Sequence, residues 1–305
     1  MAERITIAGD IGSGKTTVAR AVAERLGVEP LSTGGIQRQL AAARGITTLE
    51  LNKLAETDSA IDEEIDNYLK QLPGGDLTVE SRMAWHFVPN TKKIFLYIVA
   101  PEAAGRILRA RRNDEPYKSM DDAIEYISRR RSSEILRFRK YYGVNIDDLR
   151  NYDLVIDSTF ASPSAIANRM LEQRDVKFRP RMLLSPRNLL PTQGVRELNP
   201  TVIGHIANAI VERGYDEDQV IRALYVNHTF FIADGHNRAA AAIKTGLDFV
   251  PVALAAAGEE QYISGLSAKK YVEDSITAGK IHDWEDAVGF QYEHEIWRMP
   301  FEGKN

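Results

Sequence analysis

Two short stretches of the chain combine residue types and spacings suited to holding phosphate. The first, Gly9-Asp10-Ile11-Gly12-Ser13-Gly14-Lys15-Thr16, fits the pattern G-x-x-x-x-G-K-[ST]. Gly9, Gly12, Ser13 and Gly14 let backbone N–H groups wrap a polyphosphate. Thr16 and Thr17 begin a helix whose N-terminus adds positive potential. In this pattern Lys15 reaches the β- and γ-phosphates and Thr16 holds Mg2+, so the ligand is a nucleoside triphosphate with its metal. The second stretch, Asp234-Gly235-His236-Asn237-Arg238, lies far downstream. It offers a glycine turn at a helix start with one arginine nearby, which is again phosphate-binding chemistry.

Further candidates follow the first loop. "LSTGGIQRQLAAARG" (31–45) places Thr33 and Gly34 ahead of Arg38, as a second phosphate-binding element would. "TVESRMAW" puts Glu80 and Arg82 at a strand end, where ligands bind in open α/β sheets. Glu80 suits the Mg2+ shell through water, and Arg82 with Arg38 suits an acceptor phosphate. Residues 105–140 are packed with arginine. Their plain reading is a solvated helical face. Arginine's planar fork favours two-pronged phosphate contacts instead, as in a lid closing over bound nucleotides.

These residues need a scaffold to position them. "RITIAG" reads as a buried first strand and "KTTVARAVAERLG" as a helix with Ala19, Val22 and Leu26 on one face and a stop at Gly27. "TTLELNKLAETDSAIDEEIDNYLKQL" reads as helical with a break near Asp58, and "DLTVESR", "KKIFLYIVA" and "YDLVIDST" as short strands. Alternating strands and helices predict an α/β fold with a parallel, doubly wound sheet. A boundary falls near 171–191, giving domains at 1–172 and 179–305. Beyond it come a helix over "NPTVIGHIANAIVERG", capped by Asn199 and stopped at Gly214, the strand "FFIAD", the helix "NRAAAAIKTG" and the strand "FVPVAL". The tail 258–305 is polar and aromatic; its Trp284 and Trp297 suit either a core cap or an interface.

Bulk properties narrow the classes. The chain has 305 residues, 44% hydrophobic and 27% charged, which supports a globular core and two domains. A net charge of -4 argues against generic nucleic-acid or membrane binding. Cysteine is absent, which excludes disulfides, thiolate metal sites and cysteine nucleophiles. With no apolar run of spanning length and no leader pattern, a cytoplasmic protein is expected. Its partners are then nucleotides and a small phosphate acceptor. The oligomeric state is open.

The stretches "ITIAGDIGSGKTTVARAVAERLG", "STGGIQRQLAAARG", "DSAIDEEID", "VESRMA", "SEILRFRKYYGVNIDDL" and "YDLVIDST" occur in one order over residues 4 to about 170. Together they resemble the short, archaeal-type cytidylate kinases among the P-loop nucleoside monophosphate kinases. The resemblance implies a parallel sheet with flanking helices and an arginine-rich lid. It also implies transfer of the ATP γ-phosphoryl to CMP or dCMP. Lys15, Arg130 and Arg137 would stabilise charge in transfer, and Thr33, Arg38 and Arg82 would contact the acceptor. The chain departs from that family where Ser81 replaces a glycine, Gln37 an aromatic, and Arg131 and Ser132 acidic residues. These edits point to an altered acceptor surface and leave another small acceptor open.

"MLLSPRNLLPTQ", a glycine-ended helix, "FFIADGHNRAAAA" and "GLDFVPVAL" resemble the ParB/sulfiredoxin fold, a smaller α+β domain, over roughly 179–256. That resemblance implies a nucleotide at Gly235, His236, Asn237 and Arg238: ATP, ADP or CTP. Asp-Gly-His-x-Arg matches the free serine kinase branch, which phosphorylates an amino-acid hydroxyl. Without cysteine, sulfiredoxin chemistry is excluded, and an acidic tail fits a DNA clamp poorly. A hydroxyl acceptor needs a base. Glu197 is the nearest carboxylate after "LLPTQGVR", Gln193 is an amide and cannot serve, and Asp234 suits Mg2+ or hydroxyl orientation. The competing readings are a nucleotide-sensing regulator and a kinase acting on a modified nucleotide or DNA base.

Overall fold

The computed structural model describes residues 3–46, 50–51, 54, 59–110, 119–172 and 181–292, without the side chains of Arg38, Ser59, Asp62, Arg181 and Arg196. Trp297 and part of the 47–58 helical expectation lie outside the described residues. In chain order the elements are β1 (Arg4–Gly9), α1 (Lys15–Leu26), β2 (Pro30–Ser32), α2 (Thr33–Ala43), α3 (Ser59–Lys70), β3 (Leu77–Glu80), α4 (Ala84–Phe87), β4 (Lys92–Tyr97), α5 (Ala100–Ala110) and α6 (Met120–Tyr142). There follow β5 (Leu154–Asp157), α7 (Pro163–Glu172), β6 (Arg181–Leu184), β7 (Leu189–Leu190), α8 (Pro200–Arg213), β8 (Ile221–Val226) and β9 (Thr229–Asp234). The last elements are α9 (His236–Lys244), β10 (Val250–Ala257), β11 (Gln261–Ile263), β12 (Leu266–Ser267), α10 (Ala268–Ser275) and α11 (Ala278–Val288).

Two compact units emerge: 1–97 with 130–180, and 98–129 with 181–305. In the first, the strands run β2-β3-β1-β4-β5 and every pairing is parallel. Strands buried on both faces demand continuous apolar runs, and the inner four residues of β1 are buried accordingly. All five strands deliver their carboxyl ends to one edge. The neighbours β1 and β4 lead off in opposite directions, to β2 and β5, so the loop after β1 sits where the winding reverses. That loop is the glycine-rich one.

Gly9 ends β1 for a steric reason. Its φ is 150°, and a Cβ there would meet the Leu96 carbonyl oxygen while lying 2.8 Å from the Leu96 nitrogen. The first glycine of the loop thus lets β1 and β4 approach at their ends. Gly12 and Gly14 adopt left-handed φ of 79° and 78°, which turns the chain into α1. At the other end of α1, Gly27 is left-handed and its N–H closes on Ala23 and Glu24 carbonyls.

The second unit carries a mixed set, β6-β10-β8-β9-β7, with β10–β8 and β7–β9 parallel and the others antiparallel. Its α8 is capped by the Asn199 side chain and stops at Gly214, as its sequence predicts. The tail read as merely polar and aromatic instead folds into β11, β12, α10 and α11, as far as Val288. Its Trp284 is fully buried and meets the His236 ring edge-on at 6.1 Å.

His236 is therefore a core residue. Its Nε2 accepts from the backbone N–H of Thr192 (3.1 Å) and of Gln193 (3.3 Å), so the ring is neutral with its proton on Nδ1. The Thr192 hydroxyl donates onward to the Ile232 carbonyl at 2.6 Å. The imidazole thereby pins the loop after β7 to the start of α9.

Two outcomes follow from this packing. Gly9→Ala should cost on the order of 3 kcal/mol by overpacking and strain, read as a drop in Tm. Burial pushes the His236 pKa down from 6.5 to about 4. The unfolded chain therefore takes up this proton first on acidification. Stability from this group is complete above about pH 6.5 and declines toward pH 4, by up to about 3 kcal/mol. His236→Gln, which keeps an acceptor but does not titrate, should melt lower at pH 7.5 yet lose less between pH 6.5 and 4 than the natural chain. Equal acid losses in both proteins would refute the assignment.

Candidate active site

The strand ends of the first unit bring several predicted residues together. Lys15, half-buried, folds back over its own loop, donating to the Gly9 carbonyl at 3.0 Å and the Asp10 carbonyl at 2.5 Å. Desolvation of its amine, reinforced by the nearby Arg82 and Arg130 charges and opposed by Glu80 and Asp10, lowers its pKa to about 8. Ser13 is buried and its hydroxyl donates to the Asp10 carbonyl at 2.8 Å, so its side chain braces the loop while its N–H lies in the turn. Thr17 is exposed on α1.

Thr16 and Glu80 meet directly: the Thr16 hydroxyl donates to Glu80 Oε2 at 3.0 Å. This joins the end of β3 to the start of α1. A hydroxyl and a carboxylate are hard oxygen donors of the kind Mg2+ takes in small number, keeping water and substrate phosphate for the rest. The donor set fits that ion.

Arg82 and Arg130 converge on one carboxylate. Glu134 Oε1 accepts from Arg82 Nη1 and from Arg130 Nε, the latter at 3.1 Å. Arg131 pairs with both Asp10 and Asp147, tying the glycine-rich loop to α6 and to the turn beyond it. Arg131 and Ser132 stand out in the sequence as departures from acidic residues; here Arg131 supplies the counter-charge for an Asp10 that is 7% exposed. Arg137 is not part of this assembly. It is exposed on α6 and its guanidinium lies 4.8 Å from the Phe138 ring centre.

Beside Thr16 and Glu80 opens a cavity of about 350 Å3, within the size range of small-ligand pockets. Arg20, Ser32, Gly35, Gln39 and Tyr68 contribute to its wall. Thr33 is the first residue of α2, whose N-terminus is capped by Ser32 accepting from Gly35 N–H at 3.0 Å. The "STGG" element is thus a helix N-terminus facing the cavity through Ser32 and Gly35. The Arg38 side chain lies outside the described residues.

The second turn has its own cavity, of about 800 Å3, bordered by α8, by Gly214, Tyr215 and Asp216, by Gln193 and by 234–238. Gly235 caps α9 with φ 103°, and the Arg238 guanidinium folds back over it, so a Cβ there would fall 3.1 Å from Arg238 Nε. This is the physical basis of the Gly-x-x-Arg spacing. Arg238 also bonds the Val220 carbonyl at 2.6 Å and Asp234 at 2.8 Å. Asn237 Oδ1 accepts from Asn199 N–H at 3.1 Å, joining the starts of α8 and α9. Glu197 does not border the cavity; its carboxylate accepts from the Gly194 N–H at 3.2 Å, within its own turn.

Sequence reasoning missed Glu134 and the Asp10–Arg131–Asp147 set. A signal was present: Ala123, Ile127, Arg131, Glu134 and Phe138 fall on one helical stripe, so two charges occupy positions that the apolar period marks as inward.

Residues 4–160 match the model of the cytidylate kinase-like family. A cytidylate kinase of Natronomonas pharaonis is 39% identical over 164 residues, which are 53% of this chain and 84% of that protein. One of Methanosarcina barkeri is 39% identical over 160 residues, 51% of this chain and 87% of that protein. Among solved structures, a shikimate kinase of Bacteroides thetaiotaomicron aligns with 58% of this chain and all (100%) of its own, at 18% identity and a TM-score of 0.42. With the family model spanning half the chain and two relatives covered over most of their length, this chain belongs to the cytidylate kinase-like family.

Proposed function

We propose that the first unit transfers the γ-phosphoryl of Mg2+-bound ATP to a nucleoside monophosphate of the CMP or dCMP kind. The observation that carries this reading is the convergence of Lys15, Arg82 and Arg130 at the carboxyl edge of a parallel sheet, beside Thr16 and Glu80. Phosphoryl transfer demands little covalent chemistry of a protein; it demands positioning and positive charge around the moving group. In this assignment the loop 9–17 wraps the donor phosphates, Lys15 and Arg130 offset charge in transfer, and Thr16 with Glu80 holds the metal when it is bound. The acceptor lies in the cavity of about 350 Å3, with its base toward Gln39 and Tyr68, which border it; Arg82 and Arg38 are assigned to its phosphate. Arg137 stands about one turn beyond Glu134 on α6, with its guanidinium beside the Phe138 ring. The cytidylate kinase relatives support the acceptor class; the edits at Gln37 and Ser81 keep a related small acceptor open.

For the second unit we propose a nucleotide site, with ATP, ADP or CTP phosphates at Gly235 and Arg238 and the remainder in the cavity of about 800 Å3. A ParB/sulfiredoxin-like domain of the serine-kinase type would use it to phosphorylate a small hydroxyl compound such as free serine. Asp234, which borders the cavity, is better placed than Glu197 to face that hydroxyl. His236 contributes its backbone N–H, since its ring is committed to the loop at Thr192. A nucleotide-sensing role for the same cavity is the competing reading, and the absence of serine-dependent turnover with nucleotide bound would select it.

Two measurements test these readings. Lys15 must be charged to stabilise transfer, and its free-protein pKa of about 8 means the charge is present below that value and lost above it. The kcat/KM for ATP, which reports the free enzyme, should therefore fall as pH rises through about 8, whereas kcat should hold to higher pH because bound polyphosphate keeps the ammonium charged. A flat kcat/KM from pH 7 to 9 would sink this. Lys15→Ala in the full chain should reduce CMP phosphorylation by about 10²–10³-fold. It should leave calorimetric nucleotide binding at the second turn intact, while Gly235→Ala should abolish the latter alone. A single binding event per chain for every nucleotide tried would remove the two-site reading.

A further inference from the structure

Helix α6 buries a stripe that contains two charges. Ala123, Ile127 and Phe138 are buried on it, with exposures of 0%, 7% and 5%. Between them, at the same helical spacing, stand Arg131 and Glu134. The Glu134 side chain is 14% exposed, against 26% for Arg82 and 42% for Arg130. A carboxylate so enclosed is retained only when it is paired. One of its two oxygens, Oε1, takes both guanidiniums, one from the turn after β3 and one from the helix itself, one turn back.

That arrangement meets the same demand a phosphate oxygen would meet: two arginine N–H groups, from different elements, aimed at one anionic oxygen. We propose that Glu134 is a specificity-determining residue, an internal anion that occupies the Arg82–Arg130 pair and that only an acceptor with a doubly charged phosphate displaces. This rests on the reading given above, in which those arginines grip the transferring and acceptor phosphates. The selection is electrostatic. Glu134 carries one negative charge, so a singly charged acceptor gains nothing by the exchange and must also drive the side chain out. A phosphomonoester at pH 7.5 carries nearly two and can hold both guanidiniums in place of the carboxylate. Neutral hydroxyl compounds have no means of displacing it.

The test compares CMP with its singly charged phosphate methyl ester as ligands of the full chain, by calorimetry at pH 7.5, in the natural protein and in Glu134→Gln. The expected result is that Glu134→Gln tightens the methyl ester more than CMP and narrows the CMP preference at least 10-fold. Glu134→Asp, which keeps the charge, should retain most of the preference. In turnover, Glu134→Gln should lower KM for CMP with kcat changed less than KM. A purely structural role for Glu134 would weaken both ligands together and leave their ratio unchanged, and that outcome would overturn the proposal. Arg82→Ala separates the two levels of the argument. If it leaves CMP affinity intact, the phosphate-grip reading fails and this proposal with it. If it weakens CMP while the Glu134→Gln ratio stays unchanged, this proposal alone fails.

Discussion

Like charges must be held together in this protein before anything else in the first unit can work. Lys15, Arg82 and Arg130 crowd one sheet edge, and the repulsion of Lys15 by Arg82 is second only to desolvation in lowering its pKa, with Arg130 adding less. Glu134, Glu80 and Asp10 offset that repulsion from three different elements: α6, the end of β3 and the glycine-rich loop. On the proposal made above, ligand phosphates take the place of carboxylates at this site and the electrostatic balance is kept. A cluster of this kind is costly to assemble and therefore marks function more sharply than the glycine pattern does.

The scaffold answers the same constraint. Parallel strands put every carboxyl end on one edge, so loop, Glu80 and Arg82 arrive together without long excursions of chain. Gly9 admits the close approach of β1 to β4 at the point where the loop departs. Helix α6 then supplies the neighbours Arg130 and Arg131 and, one turn on, Glu134. Arg131 anchors the helix to the loop through Asp10, while Arg130 and Glu134 face Arg82. One helix thus anchors the loop and brings two further arginines beside it.

The second unit uses the same elementary device with different bracing. A left-handed glycine opens α9, and an arginine one turn later folds over it. Here a buried neutral histidine, backed by Trp284 of α11, holds the adjoining loop in place. Residues of the 258–288 segment fasten that loop, through Trp284 against His236 and through Lys280, whose amine reaches the Thr192 carbonyl at 3.4 Å.

Read alone, the sequence determined the phosphate loop, the strands and most helices with their caps, because glycine conformations, helix caps and apolar periods are local in origin. Asn199, Gly214 and Gly27 start and stop helices where their residue types require. It also brought Thr16, Glu80, Arg82 and Arg130 forward as candidates one by one. Tertiary structure alone decided which of them meet: that Arg82 and Arg130 share Glu134, that Arg131 serves Asp10, that Arg137 lies apart on Phe138, and that the His236 ring is a core pin and Glu197 a turn brace. Those outcomes join residues up to 121 positions apart. No local pattern encodes such a distance, since it is set by how the strands order themselves in the sheet and which face of each helix is driven inward.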